Sequence, residues 1–330
     1  MTKQMQWAMS LTTILAALAQ HGCGICTCPE VAPQPGMAAA VAAPACGEST
    51  LAGSVAYDWK NVVILGGGFV SGIVFSPVEK DLVYARTDVG GAYRYNPADK
   101  TWIPLNDDIG GKAEALGIES LAADPVDPNK VYMATGMYTQ SWAGYGAMLL
   151  SSDRGNTWKR IDMPIKMGGN ENGRSNGERL AVDPNQASIL YFGSRKNGLW
   201  KSTDAGENWD EVKSFAAKDG GNGVGIPVVL FDKASGSKGK PTPVLYAAVA
   251  NNEGSLYRST DGGATWKLVP KQPKGVMASH AEFDSNGVLY VSYGNGPGPN
   301  EVTDGSVWKY QPKQEKWTDI TPAAPKGDDK

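Results

Sequence analysis

Short apolar runs alternate with Gly-, Asp-, Asn- and Pro-rich turns along most of this 330-residue chain, and no long segment carries helical periodicity. The runs group into units. In one unit the strand-like segments are 179–183, 189–194, 198–203 and 209–213, with turn residues between them. An apolar pair or triplet ending in Tyr marks the second segment of each unit, at Tyr84, Tyr132, Tyr191, Tyr246 and Tyr290. A Trp follows each one, at Trp102, Trp158, Trp209, Trp266 and Trp317. The units begin near Gly72, Gly117, Gly177, Gly225 and Val276. Four short strands per repeat predict an all-β chain built as a β-propeller, with five four-stranded blades present.

A tighter signature sits inside the three central units. The pattern Ser-x-Asp-x-Gly-x-x-Trp occupies 151–158, 202–209 and 259–266. It resembles the Asp-box of β-propeller glycosidases and their relatives, also called the BNR repeat. Gly accepts positive φ and Asp can hydrogen-bond its own turn, so a tight hairpin is expected there. Identical copies cannot all hold one substrate, so these boxes read as scaffold. The first and last units lack the strict box but keep its place, at 95–102 and 310–317.

Composition agrees. Gly 41 and Pro 21 suit a turn-rich β protein, and charged residues make up only 20%. Net charge is −3 with both signs interspersed, which argues against nucleic acid as a partner. All four cysteines, Cys23, Cys26, Cys28 and Cys46, precede the repeats. The repeat region therefore has no disulfide and no thiolate nucleophile. Cys23, Cys26 and Cys28 with His21 make an incomplete ligand set, so no metal and no cofactor are expected. Residues 1–28 read instead as an export leader, with Lys3, an apolar stretch over 7–19 and Ala17-Leu18-Ala19 as a cleavage box. Lipidation at Cys23 or Cys46 is the alternative, although neither follows a good lipobox. Residues 29–56, rich in Ala, Pro and Gly, read as a flexible linker, and 57–330 as the propeller. The expected setting is extracellular, and the expected state is a monomer.

Positions shared by all blades hold the fold, so rim positions that differ are candidates for function. Four residues beyond each repeat Tyr stand Asp88, Gly136, Arg195, Ala250 and Gly294, of which one is a carboxylate. Period two puts Arg86 on the face of Asp88, where its charge would keep the carboxylate ionised, as a general base requires. The competing reading is an ordinary turn Asp before Gly90-Gly91. Insertions at 136–145 and 293–301 lengthen the same edge and bring Tyr138, Trp142, Tyr145 and Tyr293, whose rings suit the CH faces of sugars. The loop 168–177 adds Asn172 and Arg174 as hydroxyl donors, or is simply a polar connection between blades. Gly66-Gly67-Gly68 is not a phosphate loop, because no helix follows. His280 reads as a satisfied core residue rather than a catalyst.

The segments 61–70, 86–94 and 168–183, together with the boxes, resemble glycoside hydrolase family 74 from about Tyr57 to about Pro322. The resemblance implies two seven-bladed propellers facing each other across an open cleft, and inverting hydrolysis of the β-1,4-glucan backbone of xyloglucan. It places the general base on Asp88, within Arg86-Thr87-Asp88-Val89-Gly90-Gly91. Arg86, Tyr93, Tyr138, Trp142, Tyr145, Asn172, Arg174, Arg195 and Tyr293 are the expected substrate contacts. It also implies a general acid on a second propeller, which this sequence lacks, so the chain reads as a truncated member. Asp107, Asp108, Glu119 and Glu301 are the candidates should an acid lie within these residues.

Two other functions compete with the enzyme. One is a β-glucan-binding propeller that does not cut. The other is an assembly factor, since related propellers serve in photosystem assembly. A sialidase is disfavoured, because no arginine triad with a Tyr nucleophile is apparent.

Overall fold

The computed structural model describes residues 66–109, 113–218, 220–300 and 302–323. The leader, the linker, the four cysteines and Glu301 lie outside the described residues.

Twenty strands form five separate four-stranded antiparallel sheets. The first holds β1 (Val70–Phe75), β2 (Val83–Thr87), β3 (Ala92–Asn96) and β4 (Thr101–Pro104). The second holds β5 (Ile118–Ala123), β6 (Val131–Thr135), β7 (Ala147–Ser151) and β8 (Lys159–Asp162). The third holds β9 (Leu180–Val182), β10 (Leu190–Gly193), β11 (Leu199–Ser202) and β12 (Asp210–Glu211). The fourth holds β13 (Val228–Phe231), β14 (Leu245–Ala248), β15 (Leu256–Ser259) and β16 (Lys267–Leu268). The fifth holds β17 (Met277–Phe283), β18 (Leu289–Gly294), β19 (Gly305–Gln311) and β20 (Lys316–Asp319). Each sheet is a meander in chain order, and the first strands of successive sheets touch one another, β1 to β5 to β9 to β13 to β17. These are the blades of a propeller, each starting within a few residues of its expected position.

The core lies between blades rather than within them. Four apolar clusters fill the four successive interfaces. A middle strand therefore buries both faces, which is why these strands read as continuous apolar runs instead of alternating ones. In β6, Val131 and Met133 pack toward the first blade, while Tyr132 and Ala134 pack toward the third. The repeated aromatics follow this geometry. Tyr84, Tyr132, Tyr191 and Tyr246 each face the next blade and are almost fully buried. Burial of such a side chain contributes about 1.5–3 kcal/mol. Trp158, Trp209, Trp266 and Trp317 each face the preceding blade. Trp102 packs instead on Tyr95, 5.4 Å between ring centroids. No described sheet covers the outer face of the first blade, and Ile73 and Phe75 stand 39% and 48% exposed there.

The three outer turns with the Ser-x-Asp-x-Gly-x-x-Trp pattern are superimposable in their bonding. In the first, Ser151 Oγ donates to Asp153 Oδ1 at 2.8 Å and accepts from the Gly155 amide at 2.8 Å. Asp153 Oδ1 accepts from the Thr157 amide at 2.8 Å, and Oδ2 accepts from Thr157 Oγ1 at 2.6 Å. Asp204 and Asp261 repeat this with Ser202, Ser259, Asn208 and Thr265. Gly155, Gly206 and Gly263 have φ of 88°, 90° and 87°, which explains the fixed glycine.

Candidate functional site

Three first strands carry a bulge near their start, where the register slips between Val70 and Gly72, between Ile118 and Ser120, and between Ala278 and His280. A bulge leaves one residue out of the ladder and re-aims its side chain. Here those residues are Ser71, Glu119 and Ser279. Two of them aim at arginines. Ser71 Oγ accepts from Arg86 Nη1 at 2.8 Å. Glu119 is fully buried, with Arg179 Nε 2.7 Å from Oε1 and Arg195 Nε 2.9 Å from Oε2. The Gly168 amide also donates to Glu119 Oε2. Burial alone would raise this carboxyl, but the Arg195 and Arg179 charges overcome it and hold it at about 2.

Arg86 leaves β2 fully buried. Its Nε pairs with Glu178 Oε1 at 2.7 Å, and its other nitrogens donate to Ser71 Oγ and to the carbonyls of Arg174 and Asn176. Glu178 Oε2 accepts from Ser120 Oγ at 2.6 Å and from the Leu121 amide at 2.9 Å. Arg86 thus ties the loop 168–177 to the first blade and is out of reach of a ligand, which corrects its expected role as a substrate contact. The same correction applies to Tyr93, whose hydroxyl donates to the Gly90 carbonyl at 2.8 Å, whereas Arg195 is buried against Glu119 but borders the groove described below. Tyr293 is also withdrawn. It sits 2% exposed in the interface with the fourth blade, edge-on to Trp317.

Asp88 follows β2 directly. Its Oδ1 accepts from the Phe69 amide at 2.7 Å, and its Oδ2 lies 3.1 Å from Arg174 Nε. The guanidinium beside Asp88 is therefore Arg174, whereas Arg86 faces Glu178. Asp88 is 6% exposed, which is more enclosed than a freely accessible rim carboxylate. A Cβ at Gly68 would come within 2.9 Å of Asp88 Oδ1, so the glycine there lets the chain close over the carboxylate.

The remaining candidates are accessible. Trp142 and Tyr145 are 70% and 65% exposed, and Tyr138 and Trp142 form a tilted pair at 5.1 Å. Beside them runs an open groove of about 430 Å³, lined by Tyr138, Trp142, Asn170, Asn172, Arg195 and Lys196 among others. Gly117 joins the two parts of the rim, since a Cβ on it would meet both the Met137 backbone and the Asp88 carbonyl. A larger cavity of about 1000 Å³ follows the central channel, lined by β1, β13 and β17. Asp88 is not on its wall. His280 borders that channel half-buried, with Nδ1 2.7 Å from the Gly177 carbonyl, and burial lowers its pKa. Among the described residues no group of three His, Cys, Asp or Glu side chains is placed to hold a metal. No described helix is long and apolar enough to cross a membrane.

Sequence reasoning singled out Asp88 and the aromatic insertion, weighed Glu119 only as a candidate acid, and passed over Glu178 and Arg179. Glu178 and Arg179 stand where the other blades carry mixed small, polar and apolar residues, so no repeat pattern marks them. The bulges that turn Ser71 and Glu119 inward leave no pattern in the sequence.

The rim thus carries one enclosed carboxylate, an ionic network beneath it and exposed aromatics beside it, all on a propeller of four-stranded blades. The chain is 51% identical over 288 residues to a xyloglucanase from Paenibacillus sp, and 51% identical over 287 residues to one from Acetivibrio thermocellus. These matches cover 83% and 82% of this chain but 28% and 34% of the relatives. In structure it matches the family 74 xyloglucanase from Xanthomonas campestris with a TM-score of 0.75 at 45% identity, covering 82% of this chain and 40% of that one. No family model matches. The chain therefore matches part of a glycoside hydrolase family 74 xyloglucanase, spanning about a third of the length of its curated relatives.

Proposed function

We propose that this propeller forms one wall of the cleft of an inverting endo-β-1,4-glucanase acting on xyloglucan, with Asp88 as general base. The observation that carries the reading is the setting of Asp88. One oxygen is fixed by the Phe69 amide and the other sits beside Arg174, on a rim continuous with the exposed Tyr138–Trp142 pair. One hydrogen bond, from the Phe69 amide, and one ion pair, with Arg174, orient the carboxylate as a proton acceptor must be oriented. Trp142, Tyr145, Asn172 and Lys196 are the groups that would seat sugar rings. Arg86, Tyr93 and Tyr293 act beneath the surface, and Arg195 borders the groove. The Ser-x-Asp-x-Gly-x-x-Trp turns are Asp-boxes in a scaffolding role.

Inversion needs a second carboxyl about 6.5–9.5 Å from the first, poised as an acid. Glu119 does not fit, because two guanidiniums keep it ionised far below neutral pH. Asp107 and Asp108 are exposed turn residues after β4. In this reading the acid comes from a second propeller, and the protein works outside the cell after removal of the export leader. A monomer is the proposed state. A second reading, binding of β-glucan without cleavage, draws on the same exposed aromatic pair.

The test compares the 330-residue chain with Asp88→Asn in a chain of the relatives' full length. Xyloglucan is the substrate and released reducing ends are counted. We expect the short chain to bind and cleave poorly, since losing acid–base assistance costs about 10²–10⁴-fold. Asp88→Asn should abolish cleavage in the long chain and keep binding. Near-normal turnover of that variant would remove Asp88 from the reaction.

A further inference from the structure

Loop 168–177 contacts three different blades. It reaches the first blade through Arg86 and Asp88, and the second through the Gly169 amide, which donates to the Gly136 carbonyl at 2.7 Å. It reaches the fifth blade through the Gly173 amide on the Gly298 carbonyl at 2.8 Å and the Gly177 amide on the Ser279 carbonyl at 2.9 Å. Within it, one turn bonds in two directions. The Glu171 carboxylate accepts from the Thr139 amide at 2.8 Å and from Thr139 Oγ1 at 2.9 Å, inside the aromatic insertion. Its Oε2 also lies 3.8 Å from Arg195 Nη1, the guanidinium anchored on Glu119. Three residues on, Arg174 closes the turn by donating its amide to the Glu171 carbonyl at 3.1 Å, and its side chain meets Asp88.

We propose that Glu171 is a positioning residue. It clamps Thr139 to the buried Arg195–Glu119 pair and so fixes the Tyr138–Trp142 pair at a set place relative to Asp88. The insertion has little core of its own: Gln140, Ser141, Trp142, Gly144 and Tyr145 are all exposed. Polar tethers hold it. Glu114 accepts from the Met137 amide at 2.8 Å, and Lys166 Nζ donates to the Gln140 carbonyl at 2.6 Å. Glu171 differs from these tethers because its turn also carries the partner of Asp88. A glucan chain lying on the aromatic pair would then be in register with Asp88 through a single turn of backbone. This inference rests on the proposed sugar-binding role of that pair.

The test uses the full 330-residue chain and soluble xyloglucan. Calorimetric affinity is measured for Glu171→Ala, Glu171→Gln, Trp142→Ala and the Glu171→Ala/Trp142→Ala double variant. Near-ultraviolet circular dichroism is recorded without ligand, where the difference from Trp142→Ala isolates the Trp142 band. Glu171→Ala should shift that band and weaken binding about tenfold at an unchanged unfolding midpoint. Glu171→Gln keeps an acceptor for the Thr139 amide and should recover most of the affinity. In the Trp142→Ala background, Glu171→Ala should add nothing, because it acts through the aromatic pair. Equal weakening in both backgrounds, or an unmoved Trp142 band, overturns the inference. If Trp142→Ala binds xyloglucan normally, the sugar-binding reading of the pair fails. The Trp142 band alone then decides whether Glu171 positions it.

Discussion

Asp153 and Glu119 are both held at about 2, one on the outer edge of the propeller and the other on its rim. The means are opposite. Asp153 is accessible and is stabilised by the hydroxyl and amide of Thr157, four residues away, and then by Ser151. Glu119 is sealed from solvent and depends on guanidiniums from another blade, Arg195 standing 76 positions along the chain. The first arrangement is local, so it can be copied, and it occurs in three blades. The second is assembled by the whole fold and occurs once among the described residues. Repetition marks what holds each blade; asymmetry marks where the blades have been brought together for a purpose.

The sharpest way to break this comparison is Glu119→Gln. The shape is kept, but Arg179 loses its ion pair and Arg195 keeps only the 3.8 Å approach of Glu171. Removing one partner of a buried ionic group costs about 3–5 kcal/mol. Urea unfolding should show a loss of that size, whereas Asp153→Asn should cost far less. A loss under about 1 kcal/mol for Glu119→Gln would mean that water already screens the rim network.

Acid sharpens the same contrast. The Glu119 carboxyl lies at about 2 in the fold against a usual 4.5. A depressed carboxyl gives stability that is fully present above the unfolded value and is lost as pH falls through the folded one. The window is thus about pH 4.5 down to about 2, and the effect is roughly 3 kcal/mol. Unfolding free energy measured across this range should fall steeply for the parent chain. The Glu119→Gln variant should have a flatter acid limb. Parallel curves would assign the acid sensitivity to other carboxylates.

This contrast also explains what could be read before the fold was known. The blades were legible because their signals are short-range: Tyr84 to Trp102, or Ser151 to Trp158, report one hairpin at a time. Asp88 was legible because the repeats align and it alone is acidic at its position. Its partner was not. Strand period pointed to Arg86, but Arg86 turns under the loop to Glu178, and Arg174 arrives from 168–177 instead. Tyr293 misled for a related reason. Its insertion resembles that of Trp142, yet β18 continues to Gly294 and carries the ring into the blade interface. A chain crossing between blades leaves no periodic trace.

On the outer edge the expected effects are smaller. Asp204→Ala removes the acceptor for the Asn208 amide and for Ser202 Oγ. By analogy with loss of a capping side chain, it should cost about 1 kcal/mol in thermal unfolding. Xyloglucan binding should not change, since the turn lies away from the groove. Weakened binding with an intact midpoint would give these turns a role beyond scaffold.

The smallest effect has the opposite sign. The residue before each box glycine also has positive φ: Arg154 at 64°, Ala205 at 60° and Gly262 at 67°. A left-handed conformation costs an L-residue about 1–2 kcal/mol, and only the third box avoids it by using glycine. Replacing Ala205 with Gly relieves that cost but adds freedom to the unfolded chain, which offsets about 0.4–1 kcal/mol. The net expectation for Ala205→Gly is a gain of about 0.5 kcal/mol, read as a small rise in the unfolding midpoint. Arg154→Gly provides the control. Its backbone would gain in the same way, but Arg154 bonds both oxygens of Glu79, at 2.7 and 2.8 Å, and Asn129 Oδ1 at 3.0 Å. The Glu79 contacts tie the first box to the first blade, so Arg154→Gly should gain nothing or lose. If both variants are stabilised equally, the inter-blade contacts of Arg154 contribute nothing, and the box is a purely local device at every position.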